Sequence, residues 1–378
     1  MKSIPHDKWF GWLSLTLVAG YFVAGLWPFN FRPPNRVTWL SDRPGLQFAP
    51  YGLAYDPTSL TAVPGSGTPG GTAAHFTVEL WLTAQPEPAS DVFDILTIHN
   101  PRLAFDFVIG QWKQDLLLRA TVQTGQPTGK IPEAGLDNAI PAGRAGFFTI
   151  RGDTAGVVFY RDGSAAGHFP QFVLNAESLD GQLILGNEAS GKSSWTGRLL
   201  GLAFYNRALD TTEITRHYLI WMQGHAQQLT KTPGLTALYL FNEGAGQLIQ
   251  DSSGNHHDVI IPAIFGPVQR DLLIPPWKDL SYYQPDYSDI FVNILGFIPF
   301  GFCFFLHRHL REPRQRMANA LLVILSGMMV SLTIEVIQAW LPNRVSSMTD
   351  FLTNTTGTLL GIVLAIVVQA RVGNGKLP

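Results

Sequence analysis

Apolar positions along this chain fall into two regimes. Continuous apolar runs cover 9–26 (WFGWLSLTLVAGYFVAGL), 290–306 (IFVNILGFIPFGFCFFL), 317–340 (MANALLVILSGMMVSLTIEVIQAW) and about 350–369. At 1.5 Å per residue each is long enough to span a hydrocarbon core of roughly 30 Å. Between the first and second runs the texture changes. Short alternating stretches such as HFTVELWL, FDILTIH, GFFTIRG, GVVFYRDG, GQLILGN and RLLGLAFYNR are punctuated by glycine, proline and turn signals such as RDGS and LDGQ. That spacing predicts an antiparallel β-sandwich. One stretch, LDTTEITRHYLIWMQGH (209–225), has i, i+3, i+4 apolar spacing behind an Asp or Thr cap and predicts a helix.

The expected architecture is therefore four transmembrane helices plus an all-β domain inserted between the first and second. The bounds read as 1–39 for the first helix (about 9–26) and its connector, and 40–265 for the sandwich. A linker follows at 266–288, and a three-helix membrane part at 289–378 (helices at about 290–306, 317–340 and 350–369). Composition agrees with this mixture: 46% hydrophobic and 14% charged residues are too few charges for an ordinary soluble protein. A net charge of −2 offers no footprint for nucleic acid. The one cysteine, Cys303, excludes an intrachain disulfide and a cysteine-cluster metal site.

Basic residues give an orientation. Lys2 and Lys8 precede the first run, Arg308, Arg311, Arg314 and Arg316 lie between the second and third, and Arg371 and Lys376 follow the fourth. All fall on one side, which the positive-inside rule makes cytoplasmic. Both termini are then cytoplasmic, and residues 27–289 extracytoplasmic. A cleavable signal peptide is the alternative for 9–26, against which stand the length of the run and the absence of a cleavage site before Trp27-Pro28-Phe29. TAVPGSGTPGGTAA (61–74) reads as a flexible loop by composition, and His256-His257 as loop surface.

Polar residues interrupt the apolar hairpin formed by the last two runs, where charge is expensive to bury. Glu335 and Gln338 share one helix face near the outer end of the third run, and Arg344 stands in the tip. Asp350 and Asn354 open the fourth run, as Asp289 and Asn293 open the second with the same spacing. Two readings are open. The residues lock the helices together, Glu335 with Arg344 and Asp350 with Arg344 or a helix N-terminus; or they line a pocket for a lipid headgroup or another polar ligand. The inner halves of the runs are apolar, which argues against an ion or proton pathway.

The segments DIFVNILGFIPFG (289–301), SLTIEVIQAWLPNRVSSMTDFLTNTTGTLLG (331–361) and GLWPFNFRPP (25–34) resemble the VanZ-like membrane family. The family pattern falls on Asn293, Pro299, Phe300, Gly301, Glu335, Gln338, Arg344, Asp350, Asn354 and Gly357. The resemblance implies a bacterial envelope protein of the cytoplasmic membrane, with some relatives associated with glycopeptide resistance, and supplies no catalytic mechanism. The insert resembles the laminin-G-like, concanavalin-type jelly roll, on FTVELWLTA (76–84), VVFYRDGSAAG (157–167), LILGNEASGKSSWTGRLLGLAFYNRALDTTEI (183–214) and LYLFNEGAGQLIQDSSGNHHDV (238–259). The last stretch opens related modules but closes this one. A permuted sandwich accommodates that, because its first and last strands lie side by side and both ends emerge together.

No Glu-x-Asp-x-Glu strand, Gly-x-Ser-x-Gly elbow or His-Glu-x-x-His helix occurs in the chain, so no enzyme is expected. Trp81, Trp112 and Trp195 either stack on a sugar or contact a partner, or fill the core. Asp251 and Asn255 either help to hold calcium or stabilise a turn, and no other cofactor is implied. Two functions remain: a non-enzymatic, lectin-like module recognising envelope glycan, lipid or a protein partner, or an accessory structural subunit of a larger membrane complex such as a photosynthetic or respiratory one.

Overall fold

The computed structural model describes residues 6–60, 73–84, 91–103, 105–122, 131–277, 287–342 and 344–373. The loop expected at 61–74 falls outside them up to residue 72. Backbone contacts divide the chain into two units, residues 1–31 with 270–378, and residues 32–269.

Among the described residues, the second unit contains two eight-stranded antiparallel sheets. One runs β1(Val37–Trp39), β2(Leu46–Phe48), β13(Gly197–Tyr205), β4(Phe76–Ala84), β9(Ala145–Asp153), β10(Gly156–Arg161) and β11(Ser164–Phe169), with β14(Leu235–Tyr239) also on β13. The other runs β15(Leu248–Ile249), β16(Val259–Ile260), β3(Ala54–Leu60), β12(Gly181–Leu185), β5(Phe93–His99), β6(Phe107–Trp112), β7(Asp115–Arg119) and β8(Glu133–Leu136). Their facing side chains, among them Phe48, Phe76, Phe107, Phe148, Phe159 and Trp195, form one buried core. β4 is buried along nearly its whole length instead of alternating. Its second face is covered by the helix α2(Thr211–Met222). A strand covered on both faces reads as a continuous apolar run.

Helix α2 starts where its cap dictates. The Asp210 side chain accepts from the Glu213 N–H at 2.8 Å, and the Glu213 carboxylate accepts from the Asp210 N–H at 3.0 Å, a reciprocal capping box. Glu213 also takes both Arg207 guanidinium nitrogens, which pulls its carboxyl down to about 2. The entry and exit of the unit pair antiparallel: Pro34 bridges Ile264, and the Phe265 N–H donates to the Pro33 carbonyl at 2.9 Å. The two ends of the unit therefore leave side by side.

The other unit contains helices α1(His6–Leu26), α3(Tyr287–Arg311), α4(Arg316–Gln338) and α5(Met348–Gly373). Among the described residues these four are long and apolar enough to cross a membrane. α3 and α5 meet backbone to backbone through Gly301, Gly357 and Gly361, where any Cβ would overlap main-chain atoms of the facing helix. Small residues at such contacts let helices in lipid approach closely. α1 is tied to α3 by the Tyr21 hydroxyl, which donates to the Gly296 carbonyl at 2.6 Å.

Candidate functional site

Ser331, Glu335 and Gln338 lie at i, i+4 and i+7 on α4, so they form one stripe, and all three are buried. Each bonds to a different part of the helix bundle. The Asn354 amide on α5 donates to the Ser331 hydroxyl at 3.0 Å. Glu335 Oε2 accepts the Ser347 backbone N–H at 2.7 Å. The Ser347 hydroxyl in turn accepts the N–H groups of Thr349 (3.0 Å) and Asp350 (3.4 Å), so Ser347 caps α5 and Glu335 holds the cap. A buried carboxylate beside a helix N-terminus also meets the positive end of its dipole.

The remaining polar residues serve the opposite end of another helix. Gln338 Nε2 donates to the Gly25 carbonyl at 2.9 Å, and Arg344 Nη2 donates to the carbonyls of Ala24 and Trp27, both at 3.1 Å. Ala24 and Gly25 belong to the last turn of α1, whose carbonyls lack intrahelical donors, and Trp27 directly follows it. A guanidinium there neutralises the negative end of the dipole. Among the described residues, the side chain of Arg344 hydrogen-bonds to Ala24 at the end of α1 and to Trp27 just beyond it. Orphan carbonyls need donors, and a tip residue with a long fork reaches them. Asp289 is exposed in the first turn of α3 and Asn293 is half-buried one turn on. Among the described residues, no hydrogen bond joins either to this network, so the expected single cluster holds α1, α4 and α5 without them.

In the sandwich, the expected contact residues separate. Trp195 is fully buried in the core, its Nε1–H donating to Gln111 Oε1 at 2.8 Å, which removes it as a ligand contact. Trp81 is half-buried and meets the Trp221 ring edge-on at 6.5 Å beneath α2. Trp112, half-buried at the end of β6, has the Lys113 ammonium 4.0 Å from its ring centre. Asp251 accepts the backbone N–H groups of Leu238, Ser253 and His257 together with the Ser253 hydroxyl. Asn255 donates to the carbonyls of Leu235 and Thr236. Both act within the turn between β15 and β16, which they fasten to β14.

Three polar groups escaped the sequence reading. Glu79, in the middle of β4, is completely buried and accepts from His217 Nδ1 (2.7 Å), Trp221 Nε1 (2.9 Å) and the Tyr205 hydroxyl (3.2 Å). Burial, and then the Glu79 charge, push the Tyr205 hydroxyl well up. A lone glutamate in an otherwise apolar strand was the available signal. His257 is not loop surface: its ring bonds to the buried Asp56 at 3.1 Å, and that hydrogen bond raises its pKa.

The third is Asp94, buried where the 187–195 loop closes over β5, with Thr97 and Ser193 beside it. Desolvation first, then the nearby Glu188 charge, hold its carboxyl well above the usual carboxylate range. A group raised on folding contributes stability that is fully present below its unfolded pKa, about 3.9 for Asp, and lost as pH rises through the folded value. Asp94→Asn should therefore melt above the parent at about pH 8 and lose that advantage at about pH 4. Thermal melts across that range check it, and a parent that melts higher at alkaline pH would refute the assignment.

Residues 234–369 match the family model for VanZ/LLP1, and residues 61–215 match that of the concanavalin A-like lectin/glucanases superfamily. The chain thus joins a VanZ-like membrane region to a concanavalin-like β-sandwich. The VanZ match begins at the residue before β14, inside the sandwich unit. Among solved structures, the chain is similar to a putative carbohydrate binding protein from Bacteroides ovatus (14% identity, 60% of this chain and 61% of that one, TM-score 0.39). It is also similar to the binding domain of Paraclostridial Mosquitocidal Protein 1 (13% identity, 50% and 47%, TM-score 0.35). A third is the heptameric SAP-like pentraxin from Limulus polyphemus (11% identity, 50% and 80%, TM-score 0.32). The chain spans about half the length of the toxin binding domains it matches. At these TM-scores nothing further rests on the likenesses. No curated protein sequence matches the chain.

Proposed function

We propose that this chain is a non-catalytic protein of the bacterial cytoplasmic membrane. Its β-sandwich engages a protein partner on the extracytoplasmic side, with the helical part as its anchor. The observation that carries the non-catalytic reading is the position of Glu335, buried and holding the Ser347 N–H at the start of α5. A general base needs its carboxylate within reach of a substrate proton. Glu335 is engaged instead in positioning a helix.

The choice of partner rests on which side chains reach the surface. A sugar-binding groove stacks aromatic rings on the ligand, whereas Trp195 lies in the core and Trp81 is packed against Trp221. The exposed apolar side chains of the sandwich include Leu219 and Met222, three residues apart on α2. The basic residues that flank the apolar runs support the orientation.

Purification of the full chain from its native membrane in a mild detergent, with mass spectrometry of co-purifying chains, tests this reading. A stoichiometric partner is expected, retained by the parent and lost from the Leu219→Glu/Met222→Glu variant. Binding of the solitary protein to peptidoglycan or lipid-linked glycan, with no protein partner, would replace it by the glycan reading.

A further inference from the structure

A cavity of about 440 Å³ lies among α1, α3 and α4. Its walls are formed by Leu15, Val18, Phe300, Phe304 and Val330, and its polar end by Lys8, His307 and Arg311. The size falls within the roughly 300–1,000 Å³ of small-molecule sites. The shape is more specific. From Lys8 to Val18 on α1 is ten residues, about 15 Å of helix, or half the roughly 30 Å hydrocarbon thickness. The cavity thus spans one leaflet, charged at the surface and apolar toward the midplane.

The floor of the polar end is built by close packing. A Cβ on Gly11 would approach the His307 ring to 2.8 Å, so glycine is what lets the imidazole lie against α1. Phe304 stacks on the same ring, 6.3 Å between centres. Two basic side chains, Lys8 and Arg311, line this end of the apolar slot, at the same end of the bundle as Arg308, Arg314 and Arg316. Clusters of basic residues at a membrane surface attract anionic headgroups.

We propose that this slot is a binding site for one anionic phospholipid of the leaflet at the basic end. Its phosphate lies at Lys8 and Arg311, and an acyl chain lies along Leu15, Val18, Phe300 and Val330. The site is independent of what the sandwich binds.

Native mass spectrometry of the full chain in mild detergent, titrated with phosphatidylglycerol or phosphatidylcholine, reads it directly. One retained phosphatidylglycerol is expected, favoured over phosphatidylcholine by about tenfold. Lys8→Glu/Arg311→Glu removes the preference. Leu15→Trp fills the slot without altering charge and should weaken both lipids severalfold, which keeps the proposal testable even where the charge variant fails to fold. Equal retention of the two lipids by the parent would overturn it. So would loss in the charge variant with full retention in Leu15→Trp, which would mean surface attraction without a slot.

Discussion

Gly361→Leu is expected to melt far below the parent in detergent, while Gly296→Leu melts within a degree or two of it. Gly296 sits on α3, where a Cβ would meet nothing within 4 Å. At Gly361 on α5 a Cβ would overlap the Ile298 carbonyl and come within 2.7 Å of the Phe302 nitrogen, both main-chain atoms of α3. A clash with a flexible side chain relaxes by a change of rotamer. One with helix backbone relaxes only if the helices separate. Overpacking a well-packed core costs about 1–3 kcal/mol, occasionally more, and a rigid obstacle places this site at the upper end. Separation also removes the contacts of Gly301 and Gly357 with the facing helix, and close packing is what drives helix association in lipid. Gly296→Leu supplies the control, since a Cβ there meets open space and leucine is a better helix former than glycine by under about 1 kcal/mol. Equal melting of the two variants would show that the α3–α5 contact does not carry the bundle.

The second large effect is expected at Glu79→Ala. The substitution removes the acceptor of His217, Trp221 and Tyr205 at once, all buried. Each abandoned buried donor costs roughly 1–3 kcal/mol. The costs are not additive, and breaking a buried charged network by removing one member costs about 3–5 kcal/mol. Two of the three donors belong to α2, so the damage should concentrate there. Amide exchange across 211–222 should accelerate before that of β9 and β10 does. Glu79→Gln retains one acceptor oxygen and should fall between parent and alanine variant. An alanine variant with unchanged melting and unchanged exchange in α2 would show that the network is not what fastens the helix to the sheet.

Much of this molecule was legible from residue order. The apolar runs placed the helices that became α1, α3, α4 and α5, because length and hydropathy alone decide whether a segment can cross a bilayer. The strands written as FDILTIH and GFFTIRG formed as β5 and β9, and the Asp-capped stretch formed α2. Short strands such as β1, β15 and β16 were not recognised, since two or three residues hold no periodicity to read. The polar residues at the end of α4 and the start of α5 were legible as a group but not as pairs. Gln338 and Arg344 bond to the α1 carbonyls of Gly25 and Ala24, more than 300 positions away in the chain.

What the sequence determined by itself was therefore which segments enter the membrane, which fold as sandwich, and which residues cap their own helix, as Asp210 and Glu213 do. These depend on solvation of a segment or on neighbours within one turn. The tertiary structure alone decided that Arg344 caps α1, that Trp195 is core, and that Glu79 fastens α2 to its sheet. Periodicity says which face of an element is turned inward. The identity of the group that covers that face is set by packing between distant segments, where every buried donor and acceptor must find its partner.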